Sequence, residues 1–196
     1  MSSTPKLLSS SGSQHARRVR VLVHELELQI EVEEVPFGAQ GFGGNEREAF
    51  LALNPNGKVP VLVHDNVVIW ESNAIMAYLC EWSGSTPLWP DAPLERAQVA
   101  KWQFWQAAHL TPAADGLFAE RFVKPRFTGE TPDAAHEARL AAAFGRWMAV
   151  LEAQLTRSEY LALNRFTCAD ISVAGALMQH EPAQLPLDDF PGVSRW

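Results

Sequence analysis

Residues 54–79 read NPNGKVPVLVHDNVVIWESNAIMAYL, and this stretch decides the fold class. Its first four residues are typical of a turn. Two runs rich in β-branched residues, 58–63 and 66–71, predict the two strands of a hairpin. Residues 72–82 then predict a helix that ends at Gly84.

The residues before this stretch extend the same pattern towards the N-terminus. Residues 6–8 predict a short first strand, and apolar residues from 19 to 26 recur at the spacing of an amphipathic helix. The alternation at 30–35 predicts a half-buried strand, and the glycine-rich residues 38–46 predict a loop. The first 83 residues therefore predict the order β-α-β-loop-β-β-α, a compact α/β unit.

The residues after position 83 have a different character. Three prolines within 84–93 predict a linker. No alternating strand pattern returns beyond it, and the apolar spacing predicts helices at 94–122, 133–156 and 168–180. We therefore predict an α/β domain over 1–83 and an all-helical domain over 94–196.

Composition and charge exclude several classes of function. The net charge is −7, whereas a protein that binds duplex nucleic acid needs a basic face to neutralise phosphates. No apolar run approaches the roughly 20 residues of a membrane span. Cys80 and Cys168 are too few for a disulfide scaffold and fit a reducing compartment. The sequence predicts a cytoplasmic protein that binds neither nucleic acid nor a membrane.

The hairpin and helix of residues 54–79 resemble those of the cytosolic glutathione S-transferase superfamily. In that family a Val-Pro pair precedes the third strand and a Glu-Ser pair opens the next helix. Here these pairs are Val59-Pro60 and Glu71-Ser72. The match is closest to bacterial members of the serine type, which are similar to the theta, phi and zeta classes.

The helical half of the chain carries two further parts of the resemblance. FTCADISVAGAL (166–177) is similar to the family's buried capping motif, and LDDFPGVSRW (187–196) is similar to its C-terminal segment. The resemblance implies a thioredoxin-like N-terminal domain followed by an all-helical substrate domain. It also implies a twofold homodimer with a detoxification role, and an enzyme that activates the glutathione thiolate for attack on soft electrophiles or peroxides.

The resemblance assigns the glutathione-binding residues one by one. Val59, before a cis Pro60, offers its backbone N–H and C=O to the cysteinyl part of glutathione, as an added strand would. Glu71 binds the amine. Ser72, at the N-cap of a helix, holds the γ-glutamyl carboxylate.

The other end of glutathione is assigned less fully. Lys58 faces the glycyl carboxylate by its family position, and Asn45 is a second candidate for that end. Some relatives carry a His-Lys pair near there, whereas this chain has Asn45-Glu46. Glutathione is a co-substrate here, and no metal is implied.

The thiol of glutathione needs a group that stabilises its charged form, because a free thiol has a pKa of about 8.5. The family uses a Tyr, Ser or Cys in the first β-α loop. The first tyrosine of this chain is Tyr78 and the first cysteine is Cys80, so only serine remains. SQHARRV (13–19) resembles the serine-type pattern and selects Ser13; the alternatives are Ser11 and no role for any serine. Ser13 is also expected to be the N-cap of the helix. Capping and thiolate binding would then compete for the same hydroxyl.

Three arginines follow on the same predicted helix. Most of these three residues, Arg17, Arg18 and Arg20, are expected to be exposed or paired with acids such as Glu25 and Glu48. An isolated run of this kind is weak evidence for nucleic-acid binding in an acidic protein.

The electrophile site is expected between the domains. Trp105, His109 and Phe118 are its candidate residues, with Trp102 and Gln106 on the same wall. Aromatic residues at this spacing are more often part of a core or a dimer contact. Two other functions remain open: a glutathione-dependent disulfide reductase or isomerase, and a non-enzymatic binding protein with the same fold.

Overall fold

A computed structural model describes residues 3–38 and 41–196 of the chain, and the backbone alone of Asn45. Contacts within the chain divide it into two compact units, residues 1–89 and 90–196.

The first unit alternates strands and helices. The strands are β1 (Lys6–Ser9), β2 (Glu31–Glu34), β3 (Phe37–Gly38), β4 (Gly41–Phe42), β5 (Val61–His64) and β6 (Val67–Trp70). The helices are α1 (Gln14–Glu25), α2 (Arg47–Leu53) and α3 (Ser72–Ser83). This order confirms the β-α-β-loop-β-β-α pattern predicted from the sequence.

Four of these strands form a mixed sheet in the order β2-β1-β5-β6. β1 pairs with β2 in parallel and with β5 antiparallel, and β5 pairs with β6 as the predicted hairpin. The parallel pair requires a crossover connection, which α1 supplies. The apolar side of α1, including Val19 and Leu22, is fully buried, as are Leu7 of β1 and Leu62 of β5. This core fixes the ends of β1 and β5, where the candidate site residues lie.

Two details of the first unit differ from the sequence prediction. All four residues of the edge strand β2 are exposed, so the half-burial predicted for residues 30–35 is wrong for the strand itself, although Val35 directly after it is buried. The predicted loop at 38–46 contains parts of the short hairpin β3-β4 and a 3-10 turn at Gly44–Glu46. The segment 47–53 forms two turns of helix.

The second unit is helical throughout its regular elements. Its helices are α4 (Pro93–Trp105), α5 (Thr111–Phe118), α6 (Ala134–Leu155), α7 (Cys168–Leu177), α8 (His180–Ala183) and α9 (Pro191–Arg195). Wider π-helical turns at Gln106–Leu110 and Ala119–Thr128 join α4 to α5 and extend α5. The first lies before Pro112 and the second contains Pro125, and a proline removes one backbone hydrogen bond from a helix. No helix in the described ranges is long and apolar enough to cross a membrane.

The N-terminus of α7 carries the predicted capping motif, which the structure confirms. Asp170 Oδ2 accepts hydrogen bonds from the Thr167 N–H at 2.9 Å and the Thr167 hydroxyl at 3.0 Å. Its Oδ1 accepts from the Leu161 N–H at 3.0 Å and from Trp196 Nε1 at 3.1 Å. Burial raises the pKa of the Asp170 carboxyl, while these four hydrogen bonds act in the opposite direction. One buried carboxylate therefore ties three segments of the second unit together.

We expect Asp170→Ala to lower the free energy of unfolding by about 3 kcal/mol, because it leaves two buried N–H groups without an acceptor. Asp133→Ala is the matched control, since Asp133 caps α6 from an exposed position. Its loss should cost about 1 kcal/mol. Urea denaturation of both variants measures the difference. Equal losses at the two caps would contradict the role assigned to burial.

Candidate active site

A cleft in the first unit collects most of the residues predicted to bind glutathione. Its volume is about 110 Å³. It is lined by His15, Asn54, Asn56, Lys58, Val59, Pro60, Glu71 and Ser72. Ligand sites that enclose a whole small molecule are larger, roughly 300–1,000 Å³, so this cleft can hold only part of an extended ligand.

Val59 and Pro60 form the floor of the cleft before β5 begins. The peptide bond between them is cis, which confirms the conformation predicted from the resemblance. Both residues are buried. They lie directly before Val61, the first residue of β5.

Asn54 braces the segment that carries Lys58. Its Nδ2 donates to the Lys58 carbonyl at 2.7 Å, and its Oδ1 accepts from the Asn56 N–H at 3.0 Å. Only 3% of Asn54 is exposed. The sequence predicts only a turn at this residue, and its place in the lining of the cleft is seen only in the structure. The signal for its hydrogen bond to Asn56 was present, because an Asn that begins an Asn-Pro-Asn-Gly turn commonly bonds the backbone two residues on.

Glu71 and Ser72 stand at the start of α3, but not in the predicted arrangement. The N-cap is Glu71, with no capping hydrogen bond from its side chain, and Ser72 is the first helical residue. Ser72 therefore belongs to the first turn, whose N–H groups have no partner within the helix. The positive end of α3 borders the cleft, which favours a bound anion.

The backbone of Glu71 is strained. Its φ is +72°, a region that residues with a side chain rarely adopt. Such strain persists only where the surrounding structure enforces it, and it is concentrated at functional sites. Here β6 ends at Trp70 and α3 begins at Ser72, so the whole change of direction falls on one residue.

The two candidate serines of the first loop have different hydrogen bonds. Ser13 is the N-cap of α1, and its Oγ accepts from the Ala16 N–H at 3.3 Å. The Ser11 hydroxyl donates to Glu34 Oε1 at 3.2 Å. A hydroxyl has one proton and two lone pairs. Capping uses a lone pair of Ser13 and leaves its proton for another acceptor, so the expected competition between capping and thiolate binding does not arise.

Neither serine lines the cleft itself. The nearest lining residue in the chain is His15, which lies in the first turn of α1 two positions after Ser13. His15 stands within the SQHARRV motif, but nothing in the sequence marks it as a lining residue. In the structure it adds a polar ring to the lining of the cleft, beside the N-terminus of α1.

The three arginines of α1 have separate environments. Arg17 Nε donates to the Ser11 carbonyl at 2.6 Å, and Arg20 Nη1 lies 3.8 Å from Glu34 Oε2. The acid that Arg20 meets is therefore Glu34, not the expected Glu25 or Glu48. Arg17 and Arg20 are exposed, which agrees with the expectation for most of the three arginines, whereas Arg18 is buried, with only 1% exposed.

The candidate residues for the electrophile fall into two aromatic clusters of the second unit. The Trp105 ring lies 6.5 Å from His109 and 6.4 Å from Trp147, and His109 lies 4.6 Å from Trp147. Phe118 instead stacks on Phe122 at 5.1 Å. The structure therefore groups Trp105 with His109 and separates Phe118 from them.

Two further residues predicted on the same wall have different surroundings. Gln106 is buried, and its amide donates to the Thr111 hydroxyl. Trp102 is largely buried, but it lines a cavity of about 550 Å³ together with Trp105, and the two rings lie 5.3 Å apart. Asn45 lies in the 3-10 turn at Gly44–Glu46, but its side chain is outside the described residues. Within the described ranges, no group of three or more His, Cys, Asp or Glu residues is placed to hold a metal ion.

Two family descriptions match the chain. The N-terminal domain of glutathione S-transferases matches residues 12–82, and the C-terminal domain of glutathione S-transferases matches residues 116–196. Glutathione S-transferase GstB of Escherichia coli (strain K12) is 31% identical over 195 residues, which cover 97% of this chain and 89% of the relative. Glutathione S-transferase 3 of Zea mays is 34% identical over 171 residues, which cover 86% of this chain and 75% of the relative.

Solved structures agree with these sequence relatives. A glutathione S-transferase from Pseudomonas fluorescens Pf-5 superposes with a TM-score of 0.84 at 28% identity, covering 99% of this chain and 92% of that one. The theta class glutathione S-transferase of Xanthomonas axonopodis pv. citri, with glutathione bound, has a TM-score of 0.83 at 30% identity. There the coverage is 98% of this chain and 90% of that one.

The strain at Glu71 leads to a stability prediction. We expect Glu71→Gly to be more stable than Glu71→Ala by about 1 kcal/mol, because glycine adopts a positive φ without steric cost. Glu48 on the exposed side of α2 is the control, where glycine should be about 1 kcal/mol less stable than alanine. Urea denaturation of the four variants measures both differences. The same order at both positions would show that Glu71 is not strained.

Proposed function

The chain belongs to the glutathione S-transferase family and is a glutathione transferase, and we propose that the Ser13 hydroxyl activates the glutathione thiol. Its first unit has the thioredoxin-like fold of that family, and its second unit has the helical fold. The hydrogen bonding of the first loop supports the choice of serine. Ser13 retains its hydroxyl proton while it caps α1, whereas the proton of Ser11 is directed to Glu34.

We place glutathione along the cleft as an extended peptide. The backbone of Val59, beside the cis bond to Pro60, pairs with the cysteinyl part. Glu71 binds the amine, and the first turn of α3 at Ser72 binds the γ-glutamyl carboxylate. Lys58 receives the glycyl carboxylate, with Asn45 as a second donor for that end. The support for this arrangement is that the cleft itself contains Lys58, Val59, Pro60, Glu71 and Ser72.

The chemistry that Ser13 performs is selective stabilisation of the thiolate. A thiol pKa lowered by about 2 units requires roughly 2.7 kcal/mol of preference for the charged form. A donated hydrogen bond from the hydroxyl supplies part of this preference. The N–H groups and dipole at the N-terminus of α1 supply another part, because they favour an anion at that end. Ser13 remains intact, since it donates to sulfur and forms no bond to the electrophile.

The domain from 94 to 196 is proposed to bind a small hydrophobic electrophile. Trp105 and His109 are the favoured contacts, because they share one aromatic cluster with Trp147. Phe118 remains a weaker candidate, since it belongs to another cluster. We place this conjugation in the cytoplasm, as a detoxification step. Cys80 and Cys168 are buried free thiols, which fits the reducing conditions of that compartment.

Ser13 variants test this function. We expect Ser13→Ala to raise the pKa of bound glutathione by about 1 unit or more, with a matching fall in turnover of an aryl chloride below that pKa. Ser13→Asp is the discriminating variant. It keeps a good helix cap, so the melting temperature should hold, yet its carboxylate disfavours the thiolate and raises the thiol pKa further.

The measurements are the ultraviolet absorbance of bound thiolate against pH and the steady-state rate with chlorodinitrobenzene. Ser11→Ala is the comparison, and its thiol pKa should move less than that of Ser13→Ala. A larger shift in Ser11→Ala would transfer the activating role to Ser11. Faster turnover of a hydroxyethyl disulfide than of the aryl chloride would favour the reductase alternative, and an absence of glutathione binding in calorimetry would favour a non-enzymatic protein.

We also propose a homodimer, supported by large apolar side chains on the surface of α4. Leu94 and Phe104 are each 76% exposed, and such exposure commonly marks a protein interface. Light scattering should therefore give twice the chain mass of 21.7 kDa. Phe104→Asp should weaken the dimer, whereas Phe127→Asp outside α4 should not. A single-chain mass for the unmodified protein would contradict the proposal.

A further inference from the structure

We propose that Glu34 is a positioning residue for thiolate activation, because it holds the Ser10–Ser13 turn in the conformation that presents the Ser13 hydroxyl. Glu34 is the last residue of β2 and lies on the edge of the sheet. It lines no part of the cleft and would touch neither glutathione nor the electrophile. Its effect would pass through Ser11 and the turn to Ser13. The inference rests on the proposed role of Ser13.

The carboxylate of Glu34 binds Ser11 through two hydrogen bonds. Its Oε1 accepts from the Ser11 N–H at 2.7 Å and from the Ser11 hydroxyl at 3.2 Å. One exposed side chain from a neighbouring strand therefore holds both the backbone and the side chain of Ser11.

Arg17 holds Ser11 from the other side. Its Nε donates to the Ser11 carbonyl at 2.6 Å from the first turns of α1. Arg20, nearly one helical turn further on, lies 3.8 Å from the second oxygen of Glu34. The N–H, hydroxyl and carbonyl of Ser11 are thus all bonded, and the bonds run to β2 on one side and to α1 on the other.

Ser11 lies in the turn that connects β1 to Ser13, the N-cap of α1. The Ser13 N–H donates to the Ser10 carbonyl at 3.1 Å, which closes a turn with Ser11 and Gly12 at its centre. Both central residues are exposed. A segment with few buried contacts is held mainly by its hydrogen bonds, so the bonds to Glu34 carry much of its order. Changing the bend would change where the Ser13 hydroxyl points.

The position of Glu34 itself is set by the sheet. Ser9 is paired with Glu34 in the parallel β1-β2 register, and the Val35 N–H donates to the Ser9 carbonyl at 2.7 Å. The ladder therefore ends beside the first residue of the loop. The Glu34 side chain extends the connection between the two strands into the loop, to Ser11.

A carboxylate near the site would by itself disfavour a thiolate, so its charge needs an offset. Arg20 and Arg17 provide positive charge on the α1 side of the cluster. The Ser11 N–H bond is the main cause that lowers the pKa of Glu34 below its usual range, with help from the Ser11 hydroxyl and Arg20. A carboxyl group with a lowered pKa stays ionised to more acidic pH. The hydrogen bonds between Glu34 and Ser11 therefore persist at neutral pH and are lost only as the pH falls through that lowered pKa.

Glu34→Ala and Glu34→Gln test the proposal, with Glu33→Ala as the matched control. Glu33 is the preceding exposed acid of β2 and pairs with Lys6 at 2.5 Å, so its removal changes the charge equally without touching Ser11. We expect Glu34→Ala to raise the pKa of bound glutathione by about 0.5–1 unit, which corresponds to roughly a 3- to 10-fold fall in thiolate and kcat below that pKa. Its KM for glutathione should stay within about twofold, because the cleft is unchanged. Glu34→Gln keeps an acceptor for the Ser11 N–H and should recover part of the loss, whereas Glu33→Ala should match the unmodified enzyme.

Combination with Ser13→Ala separates positioning from a general loss of stability. If Glu34 acts through Ser13, Glu34→Ala should add almost nothing to the thiol pKa of the Ser13→Ala enzyme. Equal thiol pKa and kcat in Glu34→Ala and Glu33→Ala would overturn the inference, as would a fall in melting temperature alone. These results leave the role of Ser13 intact provided that Ser13→Ala still shifts the thiol pKa. If Ser13→Ala causes no shift, the proposed function and this inference fail together.

Discussion

The first turn of an α-helix leaves N–H groups without partners in the helix, and the site is built where two such turns border one cleft. His15 belongs to the first turn of α1, and Glu71-Ser72 begins α3. Both helix ends favour negative charge. Glutathione carries two carboxylates and a developing thiolate. In the arrangement that we propose, the thiolate faces α1 and the γ-glutamyl carboxylate faces α3, while Lys58 receives the glycyl carboxylate. The main contribution of the sheet to function is that it fixes the ends of β1 and β6, after which α1 and α3 begin.

Bringing two helix ends to one cleft has a structural cost in the loops that lead into them. Glu71 takes up the turn between β6 and α3 alone and adopts a positive φ. The loop before α1 is longer but exposed at Ser11 and Gly12, so packing does little to order it. Its order depends on polar contacts that reach it from β2 and from α1. The two loops are therefore ordered differently: the flanking β6 and α3 hold Glu71 in its strained conformation, whereas a surface hydrogen-bond network holds Ser11.

The sequence predicts the parts of this fold that depend on neighbours along the chain. The hairpin at 58–71, the helix that follows it and the cap of α7 all have local signals, namely β-branched runs, an apolar period and a Thr-x-x-Asp spacing. The cis bond at Val59-Pro60 was predictable from the family resemblance alone. Other features depend on contacts between distant residues. Glu34 meets Ser11 across 23 positions, and nothing in the local sequence around either residue marks the pair.

The sequence also cannot distinguish Ser11 from Ser13, because the difference between them lies in where each hydroxyl proton is directed. Both residues are serines of one loop, and the sequence offers both as activators. A carboxylate can only accept, so the bond from the Ser11 hydroxyl to Glu34 commits the one proton of that hydroxyl. The bond from the Ala16 N–H to Ser13 commits only a lone pair. In the mechanism that we propose, the acid at the end of β2 has two effects: it occupies the proton of the Ser11 hydroxyl, and it fixes the turn that leads to Ser13. The proposed choice of Ser13 over Ser11 thus depends on a residue that lies outside the loop and does not line the cleft.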